Sequence, residues 1–380
     1  MKKISGGITK PLGFKANGMA CGLKRSGKPD LALMTSDVPA VAAAVFTKNS
    51  IKAAPLIVSQ KHIRDNKIQA VITNSGYANC FTGKFGLLYA QQTAEITGNS
   101  LNIPIQDVFV LSTGIIGKPL PFKLIENALP ELVKGLSKSG SDKAAHAILT
   151  TDLKIKQTAV EIKISGKKVT IAGCAKGSGM IAPNMATMLG YVTTDAAISA
   201  TLLKKALKEA NEQSFNAITV DGCMSTNDTV VIMANGMAGN KKITSQSKDY
   251  AIFLKALNFV CLDLAKMIVL DGEGATKFIK VNISGAKTKA QARTIGMSIA
   301  NSMLVKTAAY GKSPNWGRVA AAVGSLGITG LTEENLKISF SSFEKKEIDI
   351  NVDMNLGKEN NTVYTCDLSN EYININANYN

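Results

Sequence analysis

One hairpin near the middle of the chain narrows the folds open to it. The runs Val160-Glu161-Ile162-Lys163-Ile164 and Val169-Thr170-Ile171-Ala172 flank the turn Ser165-Gly166-Lys167-Lys168. Two strand-like runs joined so tightly pair antiparallel, which a doubly wound parallel sheet does not allow. Further apolar runs read as strands at 30–34, 41–46, 70–73, 108–111, 188–192, 217–220, 229–234, 278–283, 337–340, 348–352 and 372–376, with 55–59 another run in a β-rich first sixty residues. Apolar residues at helical spacing mark helices over 84–97, 121–136, 142–149, 199–213, 249–270, 290–301 and 316–324. Both halves of the chain therefore mix helices with antiparallel strands, and the fold class is α/β in the mixed sense.

Composition removes several functions. Of 380 residues, 45% are hydrophobic but only 6% aromatic, so the core must be aliphatic and rich in alanine. No apolar stretch reaches the ~20 residues a membrane helix needs. Met1-Lys2-Lys3 is followed by no apolar segment of the signal-peptide kind, so a cytoplasmic location is expected. The six cysteines, at 21, 80, 174, 223, 261 and 366, form no Cys-x-x-Cys pair, so neither a metal nor a redox centre is expected. The net charge of +16 comes from lysines spread along the chain, with no basic run interleaved with aromatics, so no nucleic-acid partner is expected.

Only His62 and His146 could serve as the usual general base, and neither has a catalytic-looking context. An α-amino group, whose ordinary pKa is about 7.7–8.0, is one of few substitutes. That directs attention to Lys176-Gly177-Ser178-Gly179-Met180-Ile181-Ala182-Pro183-Asn184-Met185-Ala186-Thr187-Met188-Leu189-Gly190. A Gly- and Pro-bearing approach leads to a threonine at the head of an apolar strand. If the chain cuts itself at Ala186-Thr187, Thr187 becomes an N-terminal nucleophile whose own amine takes its hydroxyl proton. The other reading is an ordinary strand residue after a Gly-rich loop.

Two further loops carry chemistry. The strand at 108–111 ends in Ser112-Thr113-Gly114, where exposed backbone N–H groups could form an oxyanion hole or simply a turn. The helix at 249–270 stops at Asp271-Gly272-Glu273-Gly274. It precedes a strand rather than a helix, so it is not a phosphate loop; Glu273 suits a substrate ammonium, or the segment is a capped turn.

The stretch 176–189 resembles the self-cleavage signature of the ornithine acetyltransferase (glutamate N-acetyltransferase) family of arginine biosynthesis. The likeness continues in order through Ser112-Thr113-Gly114-Ile115-Ile116-Gly117, Thr150-Thr151-Asp152, Asp271-Gly272-Glu273-Gly274-Ala275-Thr276-Lys277, Ser313-Pro314-Asn315-Trp316-Gly317-Arg318, and Cys366-Asp367-Leu368-Ser369 with Tyr372-Ile373-Asn374-Ile375-Asn376-Ala377. The resemblance implies a four-layer αββα sandwich of two interlocking fragments, 1–186 and 187–380, with two copies of each in a heterotetramer. It implies ping-pong transfer of acetyl from N-acetylornithine to glutamate, without a cofactor, acetyl-CoA entering only as an alternative donor. By the same resemblance, Thr187 is nucleophile and cleavage residue with Ala186, Thr113 and Gly114 form the oxyanion hole, and Thr150, Lys176, Glu273 and Asn376 contact substrate.

One departure stands out. The family usually ends Tyr-Arg-Thr or Tyr-Arg-Ser, whereas this chain ends Tyr379-Asn380. A second reading, an N-terminal-nucleophile amidohydrolase or aminopeptidase, shares Thr187 but accounts less well for Thr150, Lys176 and Glu273. A basic binding protein is disfavoured by the dispersed lysines.

Overall fold

The structure is a computed structural model and describes residues 1–182 and 188–377. Two compact units divide the chain. The first comprises Met1–Gly177, Asn184–Phe215 and Met224–Leu264; the second comprises Ser178–Pro183, Asn216–Cys223 and Ala265–Asn380.

The first unit runs β1 (Lys2–Ile4), β2 (Phe14–Met19), β3 (Leu31–Phe46), α1 (Ala54–His62), β4 (Lys67–Tyr77), α2 (Gly83–Leu101), β5 (Val108–Ile115), α3 (Phe122–Lys134) and α4 (Ser141–Ala147), then β6 (Lys156–Ile164), β7 (Lys167–Lys176), β8 (Leu189–Thr194), α5 (Ala200–Glu212), β9 (Thr229–Ala234) and most of α6 (Lys248–Leu270). Its strands form one sheet in the order β1-β6-β7-β8-β9-β3-β4-β5, with β2 beside β3.

That single sheet makes two layers because of β3. Residues 31–35 pair with β4, and the register then shifts before Ala40. Asp37, Val38 and Pro39 at the shift are exposed. Proline donates nothing to a ladder and so fits a bulge. Beyond it, residues 41–46 pair with β9. The sheet therefore folds over on itself. Ala32, Met34, Val71, Phe109 and Leu111 from one half pack with Cys174, Leu189, Tyr191, Val231 and Met233 from the other. Thr73 Oγ1 and Tyr191 Oη meet across this interior at 2.9 Å. Alternation then sends Leu31, Leu33, Ala70, Ile72, Val108 and Val110 outward, against residues of α1, α2 and α3. On the opposite outer face Gly173 lies against Val260 and Leu264 of α6. Helices, two sheet layers and helices give the expected αββα sandwich.

The second unit adds β10 (Phe278–Ala286), α7 (Lys289–Asn301), α8 (Met303–Tyr310), α9 (Trp316–Gly324), β11 (Lys337–Phe340), β12 (Glu347–Asp353), β13 (Glu359–Cys366) and α10 (Asn370–Ala377). Its sheet has the order β11-β12-β10-β13. Ile279, Val281, Ile350, Val352 and Val363 meet Ile295, Ile299, Val319 and Val323 of α7 and α9.

Three local expectations are corrected. Residues 55–59 are helical, with Pro55 in the first turn, where a missing N–H costs nothing. Residues 217–220 are not a strand: Ala217 ends a short helical turn, Phe215–Ala217, and Ile218 makes one bridge, to Tyr364. Residues 372–376 form α10, not a strand, and no residue of α10 is buried, so the Ile-Asn alternation marks no sheet face.

Candidate active site

The first unit gathers four of the expected residues, Thr113, Gly114, Thr150 and Lys176, at one end of its inter-sheet layer. Phe109, Leu111 and Thr113 share the inward face of β5, and Cys174 and Lys176 share that of β7. Lys176 Nζ donates to Thr150 Oγ1 at 2.8 Å and to Thr113 Oγ1 at 3.2 Å, although only 8% of Lys176 is exposed. A hydroxyl oxygen that accepts from an ammonium still has its own proton to donate, and the positive charge polarises that O–H. Thr113 is thus set up as a hydrogen-bond donor beside Gly114. Gly114 has φ +130°, and a Cβ there would fall 2.3 Å from the Gly76 carbonyl carbon, so only glycine lets β5 run this close to β4.

A buried charge must be balanced, and here Asp152 does it. Its carboxylate accepts from Lys156 Nζ at 2.7 Å, Gly177 N–H at 2.6 Å and Thr150 N–H at 3.0 Å. Burial by itself would raise the Asp152 carboxyl; the charges of Lys176 and Lys156, with these hydrogen bonds, outweigh it and hold the group well below the usual carboxylate range. Asp152 thereby fixes both backbone segments that carry the Lys176–Thr150 contact.

Lys24 adds a second amine, donating to the Leu149 and Pro29 carbonyls at 2.7 Å each. Burial, reinforced by the Lys176 charge, brings it down to about 8. Asn227 braces the end of β5, donating to the carbonyls of Ser112 at 2.8 Å and Ala78 at 2.7 Å. His62 is committed elsewhere, its Nδ1 donating to the Val108 carbonyl at 2.7 Å.

The second unit carries the other two expected residues together. Asn376 Nδ2 donates to Glu273 Oε2 at 2.8 Å, and the Glu273 N–H donates to the Ser178 carbonyl at 2.8 Å. Gly179 allows this approach, because a Cβ there would lie 2.2 Å from the Glu273 carboxylate. Glu273 is only 8% exposed. Asp221 accepts from the N–H groups of Met180 at 2.6 Å and Ile181 at 2.9 Å. Ala186 and Thr187 lie outside the described residues.

Sequence reasoning overlooked Asp152, Asp221 and Lys24. Asp152 closes the Thr150-Thr151-Asp152 block and Asp221 follows the 217–220 run, so both could have been suspected as acids at element ends. Nothing local distinguishes Lys24 from the other lysines.

The class defined is an αββα protein with a buried ammonium bridging two threonine hydroxyls at the end of its inter-sheet layer. The ArgJ family model matches residues 15–344 and 340–380. The chain is 44% identical to the arginine biosynthesis bifunctional protein ArgJ of Geobacter sulfurreducens, over 97% of this chain and 98% of that one. It is 45% identical to the protein of that name from Bacillus anthracis, over 100% and 98%. A solved chain of ornithine acetyltransferase complexed with ornithine, from Mycobacterium tuberculosis, is 39% identical, with a TM-score of 0.44, over 48% of this chain and 95% of that one. The chain belongs to the ArgJ family, the acetyltransferase family of arginine biosynthesis that its motifs resemble. No helix among the described residues is long and apolar enough to cross a membrane.

Proposed function

We propose that the chain cuts itself between Ala186 and Thr187 and then transfers acetyl from N-acetylornithine to glutamate through acetyl-Thr187. Thr187 Oγ attacks the acetyl carbonyl carbon, the C–N bond breaks, and the hydroxyl proton passes through the Thr187 amine to the leaving ornithine nitrogen. The glutamate amine then attacks the ester, the C–Oγ bond breaks, and a proton returns to Oγ. No cofactor is required. Negative charge builds on the carbonyl oxygen in each step, and the Thr113 hydroxyl with the Gly114 N–H are the donors proposed to meet it. Lys176 and Thr150 suit the substrate carboxylate, Glu273 with Asn376 the ornithine ammonium.

The observation that supports this most is the Lys176 ammonium on the Thr113 and Thr150 hydroxyls. It joins in one cluster three residues that the family likeness brings from three separate blocks. Strands β8 and β9 also support the proposed division at 186 and 187, since they lie inside a sheet built largely from residues before the cut. The fragments would stay interlocked, two of each per heterotetramer, in the cytoplasm.

The test is the acceptor. The purified chain is given N-acetylornithine with and without glutamate, and N-acetylglutamate, free acetate and ornithine are measured. Ornithine released with stoichiometric N-acetylglutamate is expected. Acetate at the same rate with or without glutamate would make it a hydrolase. Acetyl-CoA as donor in the same assay decides whether glutamate is also acetylated by that route.

A further inference from the structure

The proposed cut demands more than a nucleophile, since an intramolecular attack succeeds only when both sides of the bond are held. Downstream, the chain enters β8, and the Thr229 N–H donates to the Met188 carbonyl at 3.1 Å. Upstream, one carboxylate dominates. Asp221 Oδ2 accepts from the Met180 N–H at 2.6 Å and from Tyr372 Oη at 3.3 Å. Its Oδ1 accepts from the N–H groups of Ile181 at 2.9 Å and Cys223 at 3.1 Å. The same loop grips Ile181 from the other side, where the carbonyl accepts from Thr219 Oγ1 at 2.8 Å and the Val220 N–H at 2.7 Å.

Met180 is the residue this grip constrains. Its φ is +55°, left-handed for a side chain that gains nothing from that conformation, and it is 44% exposed, so packing does not explain it. Such a conformation persists only where the surroundings impose it. The imposing groups are Asp221 on the N–H side of Met180 and Ile181, and Thr219 and Val220 on the carbonyl side of Ile181.

We propose that Asp221 is the positioning residue for self-cleavage, its carboxylate fixing the left-handed turn at Met180 as the upstream anchor of the segment that is cut. In that cut, the bond from Thr187 Oγ to the Ala186 carbonyl carbon forms as the C–N bond breaks. The hydroxyl proton goes to the departing nitrogen, and water then splits the ester into the Ala186 carboxyl and the Thr187 hydroxyl. Asp221 takes no part in these bond changes. Through Tyr372 the same carboxylate ties the anchor to α10, which carries Asn376. This rests on the function proposed above.

The full chain is made by cell-free synthesis and its cleavage followed by intact mass, with melting temperature measured alongside. D221N keeps the shape but leaves one acceptor oxygen, so the cut should slow by at least about tenfold, a step worth ~1.4 kcal/mol of barrier. Glycine adopts φ +55° without penalty, so adding M180G to D221N should restore part of the rate. A residue that merely stabilised the fold would show no such rescue. If D221N fails to fold, T219V, which removes one donor to Ile181, should still slow the cut. Wild-type cleavage rates in D221N or T219V, or no rescue by M180G, overturn this inference alone. A wild-type chain that never cuts overturns the function beneath it as well.

Discussion

Replacing Asp152 by asparagine tests how the ammonium cluster is held. The Asp152 side chain is 0% exposed, and that of its partner Lys156, 2.7 Å away, is 1% exposed. Asparagine keeps the volume but has one acceptor oxygen, and the native carboxylate serves Lys156 and Gly177 through Oδ1 and Thr150 through Oδ2. Its best rotamer therefore turns an amide N–H₂ on the Thr150 N–H and removes the negative charge beside Lys156 and Lys176. Removing one partner of a buried pair costs about 3–5 kcal/mol, a large share of the ~5–15 kcal/mol that stabilises a typical domain. Urea unfolding near pH 7.5 is the assay, with the midpoint falling and the slope unchanged. Asp152 is held below its ordinary range when folded, so its contribution is present above the unfolded value of about 3.9 and is lost as pH falls through the folded value. The gap between wild type and D152N should therefore close on acidification below about pH 4. A loss under about 0.5 kcal/mol near neutral pH, the size typical of surface changes, or a gap that widens in acid, would refute the balanced-cluster account.

Three further outcomes can be checked. K176M deprives Thr113 and Thr150 of their shared donor, and losing oxyanion support of this kind should lower kcat for acetyl transfer by about 10²–10³-fold. G179A places a methyl within 2.2 Å of the Glu273 carboxylate, so it should raise KM for N-acetylornithine far more than KM for glutamate. Lys24 titrates at about 8 when folded, below its ordinary value, so between pH 8 and 10 the unfolded chain binds more protons there and stability gains as pH rises. K24M should flatten that part of the stability–pH curve relative to wild type.

Much of this molecule could be read before folding. The hairpin at 160–172 became β6 and β7 as expected, because the Ser165-Gly166 turn and the period-2 runs are local facts. The same strand ends at Lys176, whose place directly after the hairpin is also a local fact. In sequence the bent β3 looks like two strands, since a bulge at residues 37–39 only makes sense once β9 lies on the far side. The 55–59 run misled because a short apolar stretch fits a buried strand or a helix equally well, and packing on β5 decides it. In α10 the Ile-Asn repeat imitates a strand, yet the side chain of Asn376 is used at helical spacing, donating to the Tyr372 carbonyl and to Glu273. Asp152 and Asp221 escaped notice for a related reason: each matters through what it accepts from residues 25 or 41 positions away, a relation no local pattern encodes.

The central claim is that Thr187 is made a chain terminus and then carries acetyl. Mass spectrometry of the purified wild-type protein, before and after N-acetylornithine without acceptor, tests it most directly. Two fragments dividing at Ala186-Thr187, with one acetyl group added to the second fragment at Thr187, and an uncut, inactive T187A, are the results expected. A single intact chain, with T187A fully active, would contradict it.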